Sequence, residues 1–290
     1  MLKINKYSLI KNAAVLGVAS LSLSLLATSN SFSDGHIYGE NNPVTVKGYK
    51  GSKTDSTAYT GQIARQLQHN SLKKIVSKGN PNDPSSNTLN KMMNYFENKD
   101  KSKSMAILDP KSSSKFPVKQ KMVGEISTGA NLAGKADKRI QLSWPNNMSG
   151  ADVIRFMIKK ASKTSGGVDM RNGMNYPQLI SKYTMGAVLY HQACDNYLDE
   201  KMTANNKPNN KPYKKGAYYT GKEHSWDEAF GYWGAAAHTM KLSAQQSYNV
   251  AKKKDLKAAD FNNDGVVDLY KEMTYGHAYY ASAFDRGGKT

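Results

Sequence analysis

One segment, residues 221–234 (GKEHSWDEAFGYWG), most constrains the fold because it has two different faces when drawn as a helix. At about 100° per residue, its side chains and those that follow divide into two sets. The apolar set comprises Trp226, Ala229, Phe230, Trp233, Ala237 and Met240. The polar set comprises His224, Asp227, Glu228, Gly231, Ala235 and His238. A solvated face normally carries Lys, Gln and Ser. The pattern therefore predicts a helix covered on both sides, whose polar face meets a packed interior able to hold a ligand.

Helical periodicity recurs along the rest of the chain, and it predicts an all-α fold, a single irregular multi-helix bundle, over residues 56–290. The predicted helices span residues 59–76, 89–96, 150–161, 177–198, 225–250 and 268–284. In the fourth, the expected buried face comprises Leu179, Tyr183, Ala187, Tyr190, Cys194 and Leu198. Alternating strand pairs, a hairpin dipeptide between strand-like runs and internal repeats are not found in the sequence.

The first 29 residues have the pattern of a signal peptide. Three lysines precede an apolar run from Ala13 to Ala27, and the small residues after it offer a cleavage site. A polar, Gly-rich segment, residues 30–55, is expected to be an extended arm. We therefore predict an exported protein of the periplasm or cell envelope, with no transmembrane segment after cleavage. Cys194 is the only cysteine, so an intramolecular disulfide is excluded.

The formal net charge of +18 raises the question of nucleic-acid binding. Only five of the 41 basic residues are arginine, the side chain that reads phosphates and bases best. The lysines are also spread through Asn- and Ser-rich loops along the chain. No specific nucleic-acid partner is therefore expected. Weak attraction to an anionic envelope surface is the functional alternative to a simply solvated surface.

The first candidate site comprises His224, Asp227 and Glu228. On a helix these residues are i, i+3 and i+4 neighbours, so their side chains could share a metal ion or a substrate proton. Imidazole and carboxylate donors suit iron or zinc if another helix supplies a further ligand. The alternative is helix capping, with Ser225 as N-cap, Glu228 as its capping-box partner and Asp227 in the first turn.

A second candidate pair, His191 and Asp195, is again spaced i and i+4. It lies on the preceding predicted helix, where it could partner the first cluster if the two helices pack antiparallel. His277 is another candidate neighbour of that cluster. The alternative for His191 and Asp195 is a buried, hydrogen-bonded pair without a ligand.

A third candidate, DFNNDGVVDLYKE at residues 260–272, resembles a calcium loop. Asp260, Asn262, Asp264 and Asp268 occupy loop positions 1, 3, 5 and 9, and they are the predicted calcium ligands. Position 12 carries Lys271 where a bidentate glutamate is expected, and the glutamate follows one residue later. The alternative is an Asx-rich turn in which Asp268 caps the last helix.

Four segments together resemble the bacterial family called domain of unknown function 4856: GQIARQ, YPQLISKYTMGAVLYHQACDNYL, HSWDEAFGYWG and DGVVDLYKEMTYGHAYYASAFDRG. The resemblance covers roughly residues 44–290. It implies an exported helical protein, similar in style to the imelysins, with a link to iron acquisition and to envelope or outer-membrane metal-uptake components. Members continue past AFDRGG, so it also implies a C-terminally truncated chain. The imelysin G-x-H-x-x-E signature is altered here, with one extra residue between Gly221 and His224 and with Asp227 where the signature has glutamate.

Three functions follow from these observations. The leading hypothesis is a non-catalytic binding protein with His224, Asp227 and Glu228 around its ligand. The second is a metal-dependent hydrolase of imelysin-peptidase type, with Glu228 as general base beside a metal held by His224. The third is a structural envelope protein, in which the same residues form a satisfied polar network.

Overall fold

The protein is predominantly helical, as the sequence predicts. A computed structural model describes residues 43–83, 86–99, 104–203 and 208–288. The helices are α1, Thr60–Val76; α2, Asn87–Glu97; α3, Gly150–Ser162; α4, Tyr176–Thr184, which continues as a π-helix, Met185–Lys201; α5, Gly221–Trp233; α6, Ala244–Ala251; α7, Leu256–Ala259; and α8, Gly276–Asp285. The predicted signal peptide and residues 30–42 of the arm lie outside the described residues. Within the described ranges, no helix combines the length and apolarity that a bilayer crossing requires.

Helix α1 is central because it belongs to both hydrophobic clusters of the domain. Its C-terminal half, including Leu72 and Val76, packs with α2, α3, α4, the π-helix and α5. Its N-terminal half, including Ile63 and Leu67, packs with loop residues between 105 and 130 and with residues 237–275. Eleven of its 17 residues are buried, which is expected for a helix covered on most of its circumference.

The first four predicted helices are confirmed in position, but the buried face of the fourth is not the predicted one. Asn175 caps α4 by accepting a hydrogen bond from Gln178 N at 3.2 Å, and Pro177 follows in the first turn. From Met185 onward the backbone winds as a π-helix. Its i→i+5 hydrogen bonds place more residues in each turn, so the 3.6-residue pattern no longer marks one face. Tyr190 and Leu198 are consequently exposed, whereas Val188, Leu189, Gln192, Ala193 and Tyr197 are buried. Leu179, in the α-helical part before Met185, is also exposed, so the expected face is wrong there too.

The prediction of one helix from residue 225 to residue 250 is wrong. Helix α5 ends at Gly234, whose positive φ of 86° provides the left-handed C-cap that glycine adopts most easily. A side chain at Gly234 would also be crowded, because its Cβ would lie 2.8 Å from Gln66 Nε2 and 3.0 Å from Tyr275 O. A new helix, α6, then starts after Ser243, which accepts from Gln246 N. His238 therefore lies off the helix, with its Nε2 2.8 Å from Ala258 O.

Two further predictions need correction. The last helix begins at Gly276 rather than Asp268, so Asp268 does not cap it. A small antiparallel hairpin is also present, with β1 (Val168–Asp169) paired to β2 (Met174–Asn175). Its turn contains Asn172-Gly173, a strong hairpin dipeptide, but the flanking runs are too short to show strand alternation.

Candidate functional site

Helix α5 begins at Gly221, more than one turn before the predicted N-cap Ser225. Asp227 and Glu228 therefore lie further into the helix than the capping alternative requires. The N-cap is Thr220, whose hydroxyl accepts from Glu223 N at 3.2 Å while Glu223 accepts from Thr220 N at 2.7 Å. Ser225, the predicted N-cap, instead donates to Gly221 O at 3.0 Å inside the helix. The capping-box interpretation of Ser225 is therefore wrong, and Glu228 is available for tertiary contacts.

Glu228 lies at the centre of a polar network. Its Oε1 accepts a hydrogen bond from Gln62 Nε2 of α1 at 2.8 Å. Its Oε2 lies 3.4 Å from His224 Nε2, and the side chains of His224 and Glu228 are 19% and 18% exposed. Tyr197, on the π-helix, hydrogen-bonds the same carboxylate, and burial followed by the charge of Glu228 raises the pKa of that phenol. Three elements therefore hold the pair from the inside while one edge still meets solvent.

Tyrosine rings flank the imidazole of His224. Tyr219 stacks on it with ring centroids 4.6 Å apart and an interplanar angle of 23°. Tyr213 lies on a different side, with centroids 5.1 Å apart and a tilt of 46°. Both rings thus contact the imidazole whose Nε2 lies 3.4 Å from Glu228 Oε2.

The close approach of α1 to α5 depends on Gly231. A Cβ at this position would lie 2.7 Å from Gln62 Cβ and 2.9 Å from Tyr59 Cβ, which is closer than real contacts allow. The small residue predicted on the polar face therefore permits α1 to approach until Gln62 reaches Glu228.

Asp227 has a different partner and does not join His224 and Glu228. Its side chain is buried at 2% exposure, and Oδ2 accepts from Ala58 N at 2.5 Å. Beside it, Tyr218 donates to Thr57 O at 2.9 Å, and burial raises the pKa of this phenol to about 12. Asp227 therefore anchors the segment that leads into α1.

The opposite face of α5 is less covered than predicted. Trp226 and Trp233 are 49% and 45% exposed. His277 lies on this side of the helix, stacked on Trp233 with centroids 5.9 Å apart and with its Nε2 3.2 Å from Met185 O. Burial lowers the pKa of His277. The expectation that His277 neighbours the polar network is therefore wrong.

His191 and Asp195 form a separate pair, with His191 Nδ1 3.0 Å from Asp195 Oδ2. Arg139 donates to the same Asp195 oxygen at 2.9 Å and also binds Asp137. The hydrogen bond with His191 and then the one with Arg139 lower the pKa of Asp195. These residues line an open pocket of about 390 Å³.

Lys135 connects this pocket electrostatically to the first network. It lines the pocket beside His191. Burial, followed by the nearby Arg65, lowers the pKa of its ammonium group, whereas Glu228 raises it. The two histidine–acid pairs are thus neighbours of one lysine, but each has its own partners.

The predicted calcium loop is closed by its own hydrogen bonds. Asp260 accepts from Asp264 N at 3.0 Å and from Gly265 N at 2.9 Å. Glu272, 2% exposed, accepts from Phe261 N, Asn262 N and Asp268 N at 3.0, 3.3 and 2.8 Å. Burial raises the pKa of this carboxyl. The late glutamate therefore folds back onto the loop, and calcium binding by Asp260, Asn262, Asp264 and Asp268 stays a prediction.

Side chains that ligate metals are dispersed in the described structure. Over residues 43–83, 86–99, 104–203 and 208–288, no group of three or more His, Cys, Asp or Glu side chains is placed to hold one metal ion. At His224 the reason is that Asp227 faces Ala58. Two protein donors, an imidazole nitrogen and a carboxylate, remain at this position.

Gln62, Tyr197, Tyr213 and Tyr219 are site residues that the sequence does not identify. Gln62, Tyr197 and Tyr213 are separated from α5 by a loop or by a long stretch of chain. Tyr219 directly precedes the N-cap Thr220, but its residue type gives no sign of a role. The presence of Gly231 on the polar face is the one available signal, since it indicates a closely packed helix.

Comparison with known proteins identifies a family without an assigned activity. The sequence model of the family described as "Domain of unknown function (DUF4856)" matches residues 38–278. Among curated proteins no match is found, and among solved structures none is found either.

Proposed function

The chain belongs to the DUF4856 family, whose description assigns no activity. From the site, we propose that it is an exported, non-catalytic binding protein of the periplasm or cell envelope. Its role would be the acquisition of metal ions, above all iron. The His224–Glu228 pair carries the proposal. The pair is about one-fifth exposed, so a ligand can reach it from solvent. Gln62 and the Tyr219 ring fix it from the other side.

The spacing of the two donors suits a transition-metal ion. Metal–nitrogen and metal–oxygen bonds of about 2.0–2.2 Å at a tetrahedral angle place two donor atoms about 3.4 Å apart. His224 Nε2 and Glu228 Oε2 are 3.4 Å apart. An ion could therefore bind between them without rearrangement of the helix.

Two protein donors fit a transported ion better than a resident one. Structural zinc sites are closed by four protein ligands. Here the remaining positions would be filled by water or by the ligands of a metal chelate. We therefore treat the metal as cargo, which can be released because the protein supplies only part of its coordination shell.

The hydrolase alternative has less support. It needs Glu228 to accept a proton from a metal-bound water. If Oε2 shares an ion with His224 and Oε1 accepts from Gln62 Nε2, neither oxygen of Glu228 is left to take that proton.

The test is metal binding by the purified protein. Zn²⁺ and Fe²⁺ are titrated calorimetrically, and the thermal midpoint is measured with and without each ion. At a concentration of 100 times Kd, binding stabilises the fold by about 2.7 kcal/mol. His224→Ala and Glu228→Gln should abolish the shift, whereas His191→Ala, which alters the other histidine–acid pair, should retain it.

The absence of bound transition metal after purification, together with an unchanged midpoint on adding zinc or iron, would overturn the metal proposal. Export is tested separately. N-terminal sequencing of the protein from a periplasmic extract should give a start close to residue 30, and an intact Met1 would contradict cleavage.

A further inference from the structure

A second cavity lies between α1, α4 with its π-helical extension, α6 and α8, away from the residues that contact His224 and Glu228. Its volume is about 180 Å³. Pockets for drug-sized ligands have volumes of roughly 300–1,000 Å³. The size therefore limits an occupant to a small ion or a single head group.

The lining of this cavity is cationic. Lys73 of α1 and Lys252 and Lys253 after α6 line it, and Asp109 is the one acid among its described lining residues. Asp109 is already paired with Lys253, whose Nζ donates to it at 2.5 Å. In the described part of the chain, Lys73 and Lys252 have no carboxylate partner within salt-bridge distance. No acid therefore neutralises these two lysines, although Lys252 hydrogen-bonds Tyr279 and lies over the Tyr248 and Tyr279 rings.

The lysines converge only in three dimensions. The sequence shows them dispersed along loops and helices, but the fold brings Lys73 together with Lys252 and Lys253. A neighbouring pocket that shares Asp109 and Lys253 adds Lys74, Lys78 and Lys111. The sequence-based view of a simply dispersed charge does not hold for this part of the surface.

Neutral hydrogen-bonding groups complete the lining. Gly276, the first residue of the ten-residue helix α8, lines the cavity, and the N-cap Tyr275 provides no side-chain cap. The N-terminal N–H groups of a helix favour anions. Thr274, at 2% exposure, also lines the cavity. Its buried hydroxyl has no hydrogen-bond partner among the residues that the structure describes.

His69 adds an acceptor to this set of donors. Its ring is buried in the lining of the cavity, and burial lowers its pKa to about 4, so it is neutral at pH 7. Nε2 donates to Ser181 O at 3.0 Å, which leaves Nδ1 with a lone pair. Over the described ranges, Nδ1 has no hydrogen-bond partner.

From this combination we infer that the cavity binds a small oxyanion of the phosphate class. Lys73 and Lys252 supply the charge, and Thr274 and the start of α8 supply neutral donors. A phosphate group has several oxygens that can accept from these directions at once. One that keeps a proton can in addition donate to His69 Nδ1. Free phosphate and a phospholipid head group share this chemistry.

The experiment measures phosphate binding by calorimetry and by the thermal midpoint, with chloride at matched ionic strength as reference. Lys73→Gln and Lys252→Gln should each weaken binding about tenfold, because each removes a charge-assisted hydrogen bond. Thr274→Val should weaken it by a smaller factor without altering net charge. The matched control is Lys159→Gln/Lys160→Gln on α3, where both lysines are exposed.

A second arm uses vesicles of phosphatidylcholine alone and of equal parts phosphatidylcholine and phosphatidylglycerol. Binding of free phosphate that is lost in the Lys73 and Lys252 variants but not in the control supports the cavity. Additional vesicle binding lost in the same variants identifies the head group as the source. Failure of the wild-type protein to bind free phosphate overturns the inference. An equal loss in the α3 control does the same, since it would reflect overall charge.

Discussion

Replacing Gly231 with alanine tests the close contact on which the His224–Glu228 site depends. The added methyl group would lie 2.7 Å from Gln62 Cβ and 2.9 Å from Tyr59 Cβ. Neither atom is the end of a flexible side chain, so the clash is relieved only if α1 and α5 move apart. Overpacking costs about 1–3 kcal/mol, and two contacts below 3.0 Å place this substitution in the upper part of that range, at about 2–3 kcal/mol. The better helix propensity of alanine returns about 1 kcal/mol.

We therefore expect Gly231→Ala to lower the free energy of unfolding by about 1–2 kcal/mol, measured by urea denaturation. At about 2–4 °C per kcal/mol, the thermal midpoint should fall by roughly 2–8 °C. The shift also moves Gln62 away from Glu228 and should weaken zinc binding.

Gly186 provides the matched control for this substitution. It is exposed within the π-helix, and an added Cβ would meet no atom within 4 Å. Gly186→Ala should leave stability unchanged or raise it by up to about 1 kcal/mol. A Gly231→Ala protein as stable as the wild type would refute the argument, because the two helices would then not be in the tight contact described.

Three further predictions follow from the same structure. Asp227→Ala should cost about 1–3 kcal/mol in urea denaturation, because Ala58 N loses its buried acceptor. The pKa of His69 is about 4 in the folded protein against an ordinary value of 6.5, so the unfolded chain binds the proton first as the pH falls. Stability should therefore be complete above pH 6.5 and fall by about 3 kcal/mol as the pH approaches 4, and His69→Gln should remove this part of the dependence. If the Asp260 loop binds calcium, chelator should lower the thermal midpoint of the wild type but not of Asp264→Asn.

Each of these predictions has a contradicting result. Asp199→Ala, at an exposed acid, is the control for Asp227→Ala, and equal effects would exclude a special role for the buried carboxylate. An acid-stability profile of His69→Gln identical to the wild type would show that other groups govern it. An unchanged midpoint in chelator would remove the calcium interpretation.

The fold is predictable from the sequence where local signals and burial agree. Helix α1 keeps a regular apolar spacing, and α4 begins at an Asn-Tyr-Pro cap, so the sequence locates both. The apolar pattern continues past Gly234, so periodicity alone does not show that α5 ends there. Gly234 itself is a C-cap signal that the sequence does contain. The π-helix cannot be foreseen, since its winding changes which residues face the core without changing the composition.

The site is predictable only in part. The enclosed polar face of α5 follows from residue types within one helix, and the structure buries Asp227 and covers most of His224 and Glu228. The sequence does not show which partner each of these three residues has. Two of the partners, Ala58 and Gln62, lie 169 and 166 positions away in the chain. Long-range partners of this kind leave no local pattern.

Helix α1 has a consequence for how the domain unfolds. Since Ile63 and Leu67 belong to one hydrophobic cluster and Leu72 and Val76 to the other, neither cluster can lose its share of this helix while the other keeps an intact one. Helix α1 therefore couples the stability of the two hydrophobic clusters. The two clusters should therefore melt together, and both histidine–acid pairs should lose their geometry at the same temperature as the cavity lined by Lys73 and Lys252.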